Sequence, residues 1–68
     1  MSKKDETSAL ITAGIYSIIH DGGHCMDGVI MMEEKYGMTR KQVIAAFKAE
    51  TGITPQQAQD QADDDLDN

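Results

Sequence analysis

Eight consecutive residues, His20-Asp21-Gly22-Gly23-His24-Cys25-Met26-Asp27, hold both histidines and the single cysteine of the chain, with two of its aspartates. Imidazole, thiolate and carboxylate are all transition-metal ligands. Two chemistries follow from the residue types, a metal site and a Cys–His nucleophile. Spacing opposes the first. In an unbroken helix His20 and His24 would sit one turn apart on one face. Gly22 and Gly23 stand between them, and paired glycines resist the helix. His24 and Cys25 are adjacent, so their side chains diverge, and no second ligand pair exists elsewhere in the chain. For the nucleophile, a cysteine near a helix start can have a lowered pKa. Catalysis also needs a pocket, an orienting third group and an oxyanion site, which short helices have little room to enclose. The expectation is a glycine hinge with solvated polar flanks, no catalytic residue, no metal and no cofactor.

The flanking elements read as helices. The first predicted helix starts near Asp5 or Thr7, either able to cap exposed N–H groups, and closes at Gly22. Ile11, Ile15 and Ile18 form its apolar stripe, widened by Leu10 and Ile19. Ala13 and Gly14 are small enough for another helix to approach, and part of this face, around Ala13, Gly14 and Ser17, is a candidate for pairing with another subunit. The second helix begins around Met26 or Asp27, points Val29, Ile30, Met32 and Tyr36 inward and Glu33, Glu34 and Lys35 outward, and stops at Gly37. Thr39 with Gln42 is a capping box, and Met38 with Val43 a hydrophobic staple. The third helix places Val43, Ile44 and Phe47 on one face and closes at Gly52. The same stop-and-restart chemistry returns in Gly52-Ile53-Thr54-Pro55-Gln56-Gln57, with Pro55 at the favoured first helical position. A fourth helix, with only Ala58, Ala62 and Leu66 as its apolar line, is expected to dock weakly and fray into the aspartates. The predicted fold is all-α: a small bundle of three short helices plus a weak fourth leading into an acidic tail. Residues 1–59 would form the domain and 60–68 the frayed tail.

Residues 32–48 resemble the helix-turn-helix of DNA-binding regulators. Gly37 in the turn, Met38 after it, the Thr39 cap and the Val43 anchor match that motif, with Met32, Tyr36 and Ala46 at its internal positions. The resemblance covers about a quarter of the chain and names no family. It implies that Arg40, Lys41 and Gln42 face the major groove and that Lys35 and Lys48 meet phosphates. Glu33 departs from the pattern, since that contact position normally holds a small residue and an unpaired buried carboxylate is costly.

Charge sets the remaining expectations. Sixty-eight residues carry a net −6. Residues 1–59 hold six basic and seven acidic side chains, so the tail with Asp60, Asp63, Asp64, Asp65 and Asp67 makes the protein acidic. An acidic balance opposes broad attraction to nucleic acid or anionic lipid. The longest apolar run, residues 8–19, falls short of the ~20 residues of a membrane span. One cysteine excludes an internal disulfide and fits the cytoplasm. A chain this short buries only about 60% of its unfolded surface, which favours a homodimer. The five methionines could fill the core or form an adaptable docking surface. The reading is a small non-enzymatic interaction protein that regulates or inhibits a macromolecular partner, a protein with a basic or apolar groove, as small accessory proteins of phages and mobile elements do. Met31, Tyr36, Phe47, Asp63, Asp64 and Asp65 are the candidate contacts. The alternative is a small dimeric helix-turn-helix DNA-binding regulator that uses Lys35, Arg40, Lys41, Gln42 and Lys48.

Overall fold

A computed structural model describes residues 3–66, with side chains for residues 6–64. Four helices run in order, α1 (Lys3–His20), α2 (Cys25–Tyr36), α3 (Arg40–Thr51) and α4 (Pro55–Leu66), with no strand among the described residues. The architecture is a small all-α bundle. At 1.5 Å rise per residue α1 is about 27 Å long and the others about 18 Å. The long helix packs against all three others and forms the spine.

Glycines and threonines set the boundaries. Gly22 has φ of 91°, and the N–H groups of Gly22 and Gly23 donate to the carbonyls of Ile19 and Ile18. That is the double bond of the Schellman closure, which needs a left-handed residue at Gly22. Thr39 accepts from the N–H of Gln42 at 3.2 Å and donates its own N–H to Gln42 Oε1 at 2.9 Å. Thr54 and Gln57 repeat the arrangement at 2.9 and 3.2 Å. Both predicted capping boxes are present.

The core is built from Ile11, Ile15 and Ile19 of α1, Cys25, Val29 and Met32 of α2, Val43 and Phe47 of α3, and Ala58 of α4. Two contacts show how closely α1 and α2 meet. A Cβ at Gly14 would lie 2.7 Å from Met32 Cε, and one at Gly28 would lie 3.2 Å from Ile15 Cα. Glycine at both positions lets the helices approach, a role expected for Gly14 and not foreseen for Gly28.

Several expectations are corrected. Helix α1 starts at Lys3, ahead of both Asp5 and Thr7, because Lys3 to Glu6 include good helix formers that extend it. The Asp5 side chain lies outside the described residues. Leu10 and Ile30 are exposed, and the α1 stripe runs through Ile11, Ile15 and Ile19 with Ile18 half-buried. A 3.6-residue period fixes a face to within a neighbouring position, and the packing partner decides its centre. Helix α4 continues to Leu66, so residues 60–66 are helical, and residues 67 and 68 of the expected tail lie outside the described residues.

Candidate functional site

The opening cluster resolves into structural roles. His24 is the N-cap of α2, and its Nδ1 accepts the Met26 N–H at 3.1 Å. His20 is the last residue of α1, before the hinge, its ring 5.9 Å from that of Tyr16 and nearly parallel. Tyr16 in turn meets Phe47 at 5.3 Å. Cys25 is buried where a solvated flank was expected. Burial raises its thiol pKa above the ordinary 9.0; hydrogen bonds from the Met26 and Cys25 backbones oppose this in part, and Asp60 and Asp27 add smaller pushes upward. The thiol is therefore held protonated at neutral pH, unlike an activated nucleophile. Among the described residues no group of three or more His, Cys, Asp or Glu side chains could hold a metal ion.

Sequence reading missed the residue that organises this hinge. Gln59 of α4 accepts the Cys25 N–H through Oε1 and donates from Nε2 to the Gly23 carbonyl at 3.3 Å. One amide thus satisfies a donor and an acceptor on either side of His24, at the junction of the turn and α2. Gln56 lies beside it, its Oε1 3.9 Å from Cys25 Sγ and its Nε2 3.2 Å from Asp60. A glutamine on a polar helix carries no mark of such a task, because the partner is a backbone more than thirty positions away.

The helix-turn-helix segment has the expected local anatomy. Residues 37–39 join α2 to α3, Gly37 adopts φ of 63°, and Val43 is fully buried. Lys35, Arg40, Lys41, Gln42 and Lys48 are all exposed. Two of them make side-chain hydrogen bonds. Arg40 Nε donates to Glu33 Oε2 at 3.3 Å, and Gln42 Oε1 closes the capping box. The ion pair answers the objection raised by Glu33: the carboxylate is half-buried at the helix contact and has a cation beside it. Lys35 extends over the ring of Tyr36, 5.7 Å from its centre.

Between α1 and α3 lies an open groove of about 680 Å³, lined by Thr7, Ser8, Ile11, Met38, Gln42, Ala45, Ala46 and Ala49. Its floor is the alanine side of α3. Gln42, assigned to base reading by the resemblance, borders this groove.

The candidate protein contacts divide. Met31 is 45% exposed, Tyr36 is half-buried, and Asp63 and Asp64 are exposed on α4. Phe47 is 0% exposed and touches Tyr16 inside the core, so it has no surface to offer a partner. Its assignment is corrected: it sits on the stripe that binds α3 to α1. The Asp65 side chain lies outside the described residues. Leu10, Met26 and Ile30 join Met31 as exposed large apolar residues.

Fold and surface define a class, the small all-α bundle with an acidic fourth helix and exposed large apolar residues on α1 and α2. No protein-family model, no curated protein and no solved structure matches the chain. Among the described residues no helix is long and apolar enough to cross a membrane.

Proposed function

We propose that this chain is a small, cytoplasmic, homodimeric and non-enzymatic interaction protein that regulates or inhibits a macromolecular partner by docking against it. The observation that carries the reading is α4. Asp60, Asp63 and Asp64 are exposed at i, i+3 and i+4, and no basic residue occurs from Pro55 to Leu66. On a helix these carboxylates occupy one side at fixed spacing, about 6 Å over four residues. A basic groove on a partner protein is their complement, and such complementarity speeds encounter and fixes orientation. Met31 supplies an adaptable apolar contact.

A second reading, DNA recognition through α3, is favoured by the turn at residues 37–39 and by the exposed Lys35, Arg40, Lys41, Gln42 and Lys48. One pair of variants separates the two. Asp60→Asn/Asp63→Asn/Asp64→Asn is expected to lose a protein partner captured by the full chain at low salt. Arg40→Ala/Lys41→Ala is expected to retain it. The docking reading fails if the triple variant captures the same partner equally at every salt concentration. The DNA reading gains if the full chain binds duplex DNA, measured by fluorescence anisotropy, with a steep salt dependence that Arg40→Ala/Lys41→Ala abolishes.

A further inference from the structure

Helix α2 carries a ridge that is its own complement. Asp27, Met31 and Lys35 follow one another at intervals of four residues, and all three are exposed. Such a row runs obliquely along a helix, inclined about 26° to its axis. It reads acid, apolar, base, so reversing it gives base, apolar, acid. Across the seam, Leu10 is 53% exposed on α1, one turn before Gly14. Gly14 is the position that faces Met32, so Leu10 sits on the flank of α1 nearest α2, turned outward. The other flank of α1 is occupied, with Tyr16 against Phe47 of α3.

We propose that a second copy of the chain docks on this outer α1–α2 face, with a two-fold axis passing beside Met31. In a two-fold contact, if residue i meets residue j, then j meets i. Laying the ridge against its reversed copy brings Asp27 opposite the second copy's Lys35 and Lys35 opposite the second copy's Asp27. The two Met31 side chains meet at the centre, and Leu10 closes one edge. Packing four-residue ridges against each other is the commonest helix crossing, at about 50°. Methionine suits the centre because it repacks without strain. A parallel arrangement would set Asp27 against Asp27, so the charges select the antiparallel one. Covering Leu10 and Met31 would also supplement a core that a chain of this size leaves small.

This inference rests on the dimeric state proposed above and adds its face and register. The test is sedimentation equilibrium of the full chain from about 1 to about 500 μM, a range suited to a modest interface. The wild-type chain is expected to dimerise within that range. Asp27→Lys and Lys35→Asp each create like-charge contacts and are expected to weaken the dimer by at least about tenfold. The double variant restores opposite charges and should return to within about threefold of wild type. Met31→Glu is expected to abolish the dimer. Circular dichroism establishes that each variant is helical at the temperature used. If a swapped variant does not fold, Asp27→Asn and Lys35→Gln remove the same charges without reversal and are expected to weaken the dimer in the same direction. A monomer at every concentration overturns both the dimeric state and this face. A dimer indifferent to all single variants overturns this face alone. Single variants that weaken without rescue by the double overturn the register.

Discussion

Gln59 shows how much one side chain can hold. It links α4 to two backbone groups at the hinge, whereas Gln56 makes an exposed contact to Asp60 and a long one, at 3.9 Å, to the Cys25 thiol. Removing one partner leaves half-buried backbone groups without their bonds, which costs about 1–3 kcal/mol, well above the loss of a solvated contact. Gln59→Ala is therefore expected to lower the unfolding free energy, measured by urea denaturation, by an amount in that range, while Gln56→Ala lowers it by less than about 0.5 kcal/mol. Equal effects from the two would sink the clamp. Cys25 makes a second expectation at this scale. Its pKa is raised by burial, so the folded chain holds the thiol proton more tightly than the unfolded chain. The stability linked to that proton is fully present below the ordinary 9.0 and is lost as the pH rises through the folded value. Unfolding midpoints should decline across that alkaline window, and Cys25→Ser should flatten the decline. Alkylation of the native thiol should stay slow at neutral pH and become fast on unfolding.

Helix boundaries were accessible from the sequence because their chemistry is local. Thr39 with Gln42 and Thr54 with Gln57 are bonded three residues apart, so the signal needs no tertiary partner. Helix faces were less accessible. Leu10 and Ile30 satisfy the apolar period as well as Ile11 and Val29 do, and only the positions of the neighbouring helices exclude them from the core. The two glycines of the α1–α2 seam make this dependence measurable. Alanine gains about 1 kcal/mol of helix propensity over glycine in either place. At Gly14 the new methyl meets the flexible end of Met32, but at Gly28 it meets the Ile15 backbone. Gly28→Ala requires the Ile15 backbone to give by a few tenths of an ångström, and overpacking of that kind costs about 1–3 kcal/mol. Thermal melts should find Gly14→Ala near neutral or stabilised and Gly28→Ala destabilised. The reverse order would mean that the helices do not meet in this way.

Across the whole molecule, charge is distributed unevenly. The described ion pair joins α2 to α3, while α4 crowds exposed Asp60, Asp63 and Asp64 with no basic residue of its own. Like charges one turn apart destabilise a helix by a few tenths of a kcal/mol, and negative charge near its C-terminal end adds to this. Screening should relieve both. Raising the salt from about 0.01 M to about 1 M shortens the Debye length from about 30 Å to 3 Å, and the thermal midpoint is expected to rise. A midpoint that falls would show that attraction between surface charges outweighs this repulsion.

By itself the sequence determined the all-α class, the stops at Gly22, Gly37 and Gly52, both capping boxes and the acidic terminus. These follow from short-range hydrogen bonds, left-handed glycines and composition, all readable within a few residues. Tertiary structure decided that His24 serves as a cap, that Cys25 is buried and that Phe47 is withdrawn from the surface. It also decided that Glu33 has Arg40 for company and that Gln59 closes the hinge. Each of these depends on which helix lies beside which. That arrangement comes from packing among residues far apart in the chain, and the period of any one helix does not contain it.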